Sequence, residues 1–286
     1  MPRSLLPAVA LALLAGASVE AQPQGGGMDV AQALAAAHAA SPRDGWLADQ
    51  ADDWAEADRD YPQELDDSAR EARVRLLQNE IETARAFDRA FSWEQIATTC
   101  LGQALEGCGV TAAGLLYVDR DEAVAWQTVG GHTDMDGIRA GFVILARDGD
   151  GWRPFGWGYD GVIYEAPSLG GEMDQTLIHV PGRMMGTGNG NADQIYVRQG
   201  DGGWRDLRLM PWKREMRARL PGGLEVWKGV DYRIGAMMAL TQLWRPTDGN
   251  CCPTGGDAII NLAVEGDRLA VTDMSVRRVE DLIPRN

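Results

Sequence analysis

His132 stands two residues before Asp134 and four before Asp136 in the stretch GGHTDMDG. An imidazole held by a carboxylate is a common proton-transfer pair, so these three are the catalytic candidates. His179, in TLIHV, reads as a hydrogen-bonded residue on a strand face. His38, in an alanine-rich segment, reads as exposed. A Ser-His-Asp set is defined in space rather than along the chain, and Ser168, in APSLGG, is the one serine in a suggestive loop. Neither H-E-x-x-H nor G-x-S-x-G occurs, so zincins and α/β-hydrolases lose their usual signatures. A glycosidase needs two carboxyl groups at a set distance. The 24 acids after Val110 offer too many pairs for the sequence to choose one.

Residues 186–193 read GTGNGNAD. A dinucleotide fingerprint would need a glycine where Asn191 stands and a helix where the strand-like QIYVRQ follows. No lysine follows either, so the loop is not a Walker A motif. Calcium fits better, because Asn189, Asn191 and Asp193 alternate and can turn oxygens into a tight loop. Calcium takes six to eight hard oxygens, so more acids must come from Asp134, Asp136 or Asp248. The plainer reading is a glycine-rich connection in which asparagine satisfies loop backbone.

The elements that must position these groups follow from an exported start. The segment MPRSLLPAVALALLAGASVEA has Arg3, then an apolar run too short to span a bilayer, then Val19-Glu20-Ala21. It reads as a signal peptide cleaved near Ala21, so that 1–21 is removed and 22–27 is a linker. Periplasm or medium is the expected location. No later segment reads as a membrane span. In that compartment Cys100, Cys108, Cys251 and Cys252 should be oxidised, which makes them poor zinc ligands. Four cysteines allow three pairings. Cys100 with Cys108 closes a short loop and leaves Cys251 with its neighbour Cys252; the other two pairings would tie the helical part to the C-terminal strands.

The second cysteine pair lies in WRPTDGNCCPTGGD. Asp248, Asn250, Cys251, Cys252, Pro253, Thr254 and Gly255 form a D-x-N-C-C-P-[ST]-G pattern before a terminal hairpin. Over about residues 244–274 this resembles exported bacterial lipoproteins of the LppP/LprE type. Gly249 replaces the commoner alanine and the lipobox is absent. The resemblance implies export and a terminal hairpin, and it implies no reaction.

The formal charge is −15. Residues 22–110 hold 17 acids and 7 bases, and residues 111–286 hold 24 acids and 19 bases. Nucleic acid, which needs a basic field, is excluded as a partner. Lys213, Arg214, Arg217 and Arg219 form a basic spot that is expected to dock the chain's own acidic helices. Most of the ten tryptophans are expected in the core, beside hairpin tips.

Residues 28–108 read as helices. MDVAQALAAAHAA stops at Ser41-Pro42, a second helix carries Trp46 and Trp54, and a longer one starts at Pro62. A further one, WEQIATTCLGQALEG, is opened by a Ser92/Gln95 capping box. From Gly109 the period becomes two, with Asp-Gly and Gly-Asp tips that mark hairpins. One helix, PWKREMRARL, interrupts the strands. The fold expected is α+β: N-terminal helices, then over 109–286 a mostly antiparallel β meander of one or two packed sheets. DGDGW and GDGGW recur about fifty residues apart, which makes a propeller-like arrangement the alternative. The function expected is non-catalytic, either binding a small ligand or envelope component or structural. The alternative is a hydrolase acting on envelope polymers, with calcium compatible with either.

Overall fold

The computed structural model describes residues 28–102, 105–133, 137–172, 175–186 and 190–277. The expected signal peptide and linker lie outside the described residues, as do Asp134, Asp136 and Asn189.

The described residues begin with α1 (Val30–Ala40), α2 (Asp44–Asp60), α3 (Asp67–Ala86) and α4 (Trp93–Thr98). Asp29 caps α1 by accepting from the Gln32 N–H, and α1 ends at Ser41, as the following proline requires. Ala33 and Ala37 are fully buried, so α1 packs closely over Leu77 and Ile81 of α3. The helix expected from Pro62 starts later. Pro62–Glu64 is a single 3-10 turn, and Asp66 opens α3 by accepting from the Ala69 N–H. The Ser92/Gln95 capping box is present. Its helix is shorter than WEQIATTCLGQALEG because Gln127 takes over the backbone at its end. The Gln127 amide donates to the carbonyls of Ile96 and Thr99, and its oxygen accepts from the Leu101 N–H.

Strands follow: β1 (Glu106–Tyr117), β2 (Ala123–Thr133), β3 (Gly137–Asp148), β4 (Gly151–Gly158), β5 (Ile163–Tyr164), β6 (Ser168–Gly170) and β7 (Leu177–Val180). Then come β8 (Gly182–Arg183), β9 (Gln194–Arg198), β10 (Trp204–Asp206), the helix α5 (Met210–Arg219), β11 (Asp231–Arg233), β12 (Met238–Leu243), β13 (Gly256–Glu265) and β14 (Arg268–Arg277). The class is α+β with an antiparallel meander, and among the described residues it forms no closed barrel. The meander divides into three four-stranded sheets, β1-β2-β3-β4, β6-β7-β9-β10 and β11-β12-β13-β14, with β5 and β8 as a two-stranded ribbon. Each large sheet ends in a Gly/Asp-tipped hairpin. This explains the recurrence of DGDGW and GDGGW, and the EGD tip between β13 and β14 continues it. Gly149 and Gly266 sit at positive φ, 58° and 63°, in the two-residue tips, as tight hairpin turns demand.

The helices and sheets are joined by capping across the chain. Asp206, at the end of β10, accepts from the Gly45 and Trp46 N–H groups at 3.0 and 2.7 Å, at the start of α2. Asp49 of α2 in turn accepts from the Leu209 and Met210 N–H groups at the start of α5. The free N–H groups of a helix start need such acceptors when buried. Around them Arg208 pairs with Asp52, and Arg214 pairs with Asp52 and Glu56 at 2.9 and 3.0 Å. The basic spot on α5 therefore docks on the chain's own acidic helix. Deeper in, Glu80 accepts from Ser41 Oγ at 2.6 Å, Arg43 Nη1 at 2.7 Å and Trp157 Nε1 at 3.2 Å. Arg43 lies over the Trp46 ring at 4.1 Å.

The cysteines pair as Cys100–Cys108 and Cys251–Cys252, with Cα separations of 6.0 and 3.8 Å. Trp152, Trp157, Trp212 and Trp244 are core residues, while Trp93 and Trp227 are exposed. Among the described residues no helix is long and apolar enough to cross a membrane.

Candidate functional site

The third sheet buries one face and leaves the other half open, because alternate side chains of a strand point to opposite faces. Ala239, Thr241 and Leu243 of β12 and Ala258 and Ile260 of β13 point inward and are buried. Leu240 and Gln242 therefore point outward. Gln242 lies opposite Asp257, and Asp257 opposite Arg277, so a polar row crosses three strands. Asp231 faces Leu240 from β11. The segment before β11 folds over this face, and Arg183 of β8 reaches in from the small ribbon. Together they enclose a cleft of about 420 Å³, lined also by Lys228, Val230 and Trp244. Its size lies in the range of small-molecule sites.

The covering segment is held at both ends. Glu225 and Trp244 exchange backbone hydrogen bonds at 2.9 and 2.8 Å, and the Trp227 ring stacks on Trp244 with centroids 6.0 Å apart. At the other end Asn191 Oδ1 accepts from the Val230 N–H at 2.7 Å, and its Nδ2 donates to the Val230 carbonyl at 2.8 Å. Arg183 Nη1 donates to the same carbonyl at 3.1 Å. The last part of GTGNGNAD thus clamps the wall of the cleft. Asn191→Ala removes both bonds to Val230 and is expected to destabilise by about 1–3 kcal/mol. Hydrogen exchange should speed up in residues 225–231 more than in β13; uniform exchange rates would show that the clamp is not local.

Behind that wall lies a buried pair. His179 Nε2 and Asp193 Oδ1 are 2.6 Å apart, and Asp193 Oδ2 accepts from Asn191 Nδ2 at 2.7 Å. The two side chains are 7 and 4 % exposed. Tyr232 stands edge-on to the His179 ring, and its hydroxyl accepts from Trp212 Nε1. Ser168 of β6 sits directly opposite His179 of β7. Among the described residues no side-chain hydrogen bond joins Ser168 to His179. Ser168 and His179 are cross-strand neighbours, but Ser168 is exposed and the imidazole is buried, and among the described residues no side-chain bond carries a proton path from the hydroxyl.

The other sequence candidates are elsewhere. His132, at the end of β2, is exposed and 3.4 Å from the exposed Glu106; its expected companions Asp134 and Asp136 are outside the described residues. Asp248 organises the D-x-N-C-C-P-T-G loop. It accepts from the Arg245 N–H at 2.7 Å, the Thr254 N–H at 2.8 Å and Thr254 Oγ1 at 2.7 Å. These bonds hold its carboxyl below the usual range, the Arg245 N–H contributing most. Asn191, Asp193 and Asp248 thus direct their oxygens into two separate hydrogen-bond networks. Among the described residues no group of three His, Cys, Asp or Glu side chains is placed to hold a metal ion.

Arg183, Lys228 and Arg277 escaped the sequence reading because they come from three distant segments. One signal was available: the chain has only two lysines, Lys213 and Lys228, and Lys228 follows a tryptophan in a loop. No protein-family model matches the chain, and no curated protein or solved structure proved similar to it.

Proposed function

We propose that this chain is an exported, non-catalytic binding protein that takes a small ligand in the cleft of the third sheet. The observation that carries the reading is the cleft itself, a concavity of about 420 Å³ with Leu240 as an apolar lining residue, the buried Trp244 beside it and polar groups around them. Small-ligand sites combine these features. Export is supported by the N-terminal segment of the sequence, by the resemblance of the Asp248–Gly255 pattern, and by four cysteines at pairing distance, since disulfides persist in oxidising compartments.

The test is thermal unfolding of residues 22–286 against a panel of amino acids, neutral sugars, sugar acids and phosphates. Leu240→Trp, which fills the cleft from its floor, serves as the control. A native-state ligand raises the midpoint. At least one panel member is expected to raise it in the wild type and not in the variant. Indifference of the wild type to the whole panel at millimolar concentration overturns the reading.

A hydrolase is the second reading, favoured by the placement of Ser168 opposite His179 with Asp193 beyond it. It ranks second because the imidazole is buried and no hydrogen bond links it to the hydroxyl among the described residues. Ester hydrolysis abolished by both Ser168→Ala and His179→Ala would put it first.

A further inference from the structure

We infer that the ligand of this cleft is a small organic anion, with a phosphate or a pair of carboxylates held between Arg183, Lys228 and Arg277. The inference rests on the cleft being the binding site and adds the chemistry of what enters it.

The charges around the cleft are unevenly matched. Asp231 is engaged by Arg233 at 2.6 Å. Among the described residues Asp257 is then the one remaining carboxylate lining the cleft, facing three cations, an excess of two positive charges. Among the described residues Arg183, Lys228 and Arg277 form no ion pair, although the chain as a whole carries −15. Elsewhere the arginines that hold the fold together are paired: Arg43 with Glu80, Arg73 with Asp58, Arg214 with Asp52 and Glu56, Arg268 with Glu215. A local positive excess inside an acidic protein focuses the field on one concavity and selects for a negative guest.

The donors suit that guest. Arg183 uses Nη1 on the Val230 carbonyl, which fixes the plane of the guanidinium and leaves the rest of its fork for two oxygens. Lys228 Nζ is 5.8 Å from the Trp244 ring centroid, a compact charge on a flexible stem. Asp257 repels a negative guest and so limits the charge the cleft accepts; its removal should strengthen anion binding.

The experiment measures inorganic phosphate and succinate binding to residues 22–286 by calorimetry, at ionic strength held constant with sodium chloride. The variants are Lys228→Gln/Arg277→Gln, which leaves the Arg183 bond to Val230 intact, and Asp257→Asn. At least one of the two anions is expected to bind the wild type. The double variant should bind about tenfold more weakly or not at all, and Asp257→Asn severalfold more tightly, as expected for charges a few ångströms from the ligand. Equal binding by wild type and double variant places the anion elsewhere and overturns the inference. If neither anion binds while a neutral panel compound does so in a manner lost in Leu240→Trp, the cleft is the site and the anionic class is wrong. If nothing binds, both readings fall.

Discussion

Replacing Glu80 with alanine is expected to lower the folding stability by about 3–5 kcal/mol, the cost of leaving a buried charge without its partner. Arg43 is 3 % exposed and Glu80 5 %. The Glu80 carboxylate also takes the Ser41 hydroxyl and the Trp157 indole N–H, so its loss strands three donors at once. Those donors come from the α1–α2 connection, the start of α2 and β4, and the effect should therefore appear as loss of cooperative unfolding between helices and first sheet. Urea denaturation of Glu80→Ala, Arg43→Met and the double variant Arg43→Met/Glu80→Met measures it. The double variant should be more stable than either single one, because no unpaired charge remains in it. A single-variant cost under about 1 kcal/mol would show that Arg43 reaches water and that the pair is of the exposed, weak kind.

The second large effect is a pH dependence at Asp49. Burial pushes this carboxyl up to about 6 from an ordinary value of 3.8, against the Leu209 and Met210 N–H groups and Arg208, which pull it down. The native protein therefore holds a proton on Asp49, between pH about 4 and 6, that the unfolded chain has released. Stability from this group is fully present below 3.8 and is lost as pH rises through about 6. A difference of this size corresponds to about 3 kcal/mol. The Asp49→Asn variant keeps a side-chain oxygen for the two N–H groups and cannot titrate. Relative to that variant, the wild type should lose about 3 kcal/mol between about pH 4 and pH 7. Parallel pH profiles would mean that the carboxylate is ionised in the fold at no cost.

Much of the architecture was legible in local signals. The tips DGDG and GDGG marked hairpins because glycine at positive φ is required there. The stretch PWKREMRARL matched α5 to within a residue at each end. Ser92 and Gln95 announced a capping box. What local pattern cannot carry is the partner of a capping group. Asp49 and Asp206 read as ordinary acids in a very acidic chain, although each accepts backbone N–H groups about 160 residues away. β11 is only three residues long and has no local mark, and β12 shows only the alternation of Ala239, Thr241 and Leu243. Without them the outward row Gln242, Asp257 and Arg277 could not be assembled, and the cleft stayed invisible. Ser168 and His179 each stand out singly in the sequence. Their juxtaposition depends on the register of β6 with β7, which a three-residue strand does not reveal in its sequence.

The reciprocal caps have a consequence for the order in which the molecule is completed. During synthesis α2 emerges before β10 and α5, yet its first turn waits for Asp206 and its Asp49 waits for the amides of Leu209 and Met210. Closing a loop of that length carries an entropic cost that must be met before the contact rewards it. The helices α1 to α3 are thus made before the strands and are among the last parts finished. A growing chain of this design stays open until its second half arrives, and a truncation before residue 206 should yield helices that fray at α2 rather than a stable helical domain.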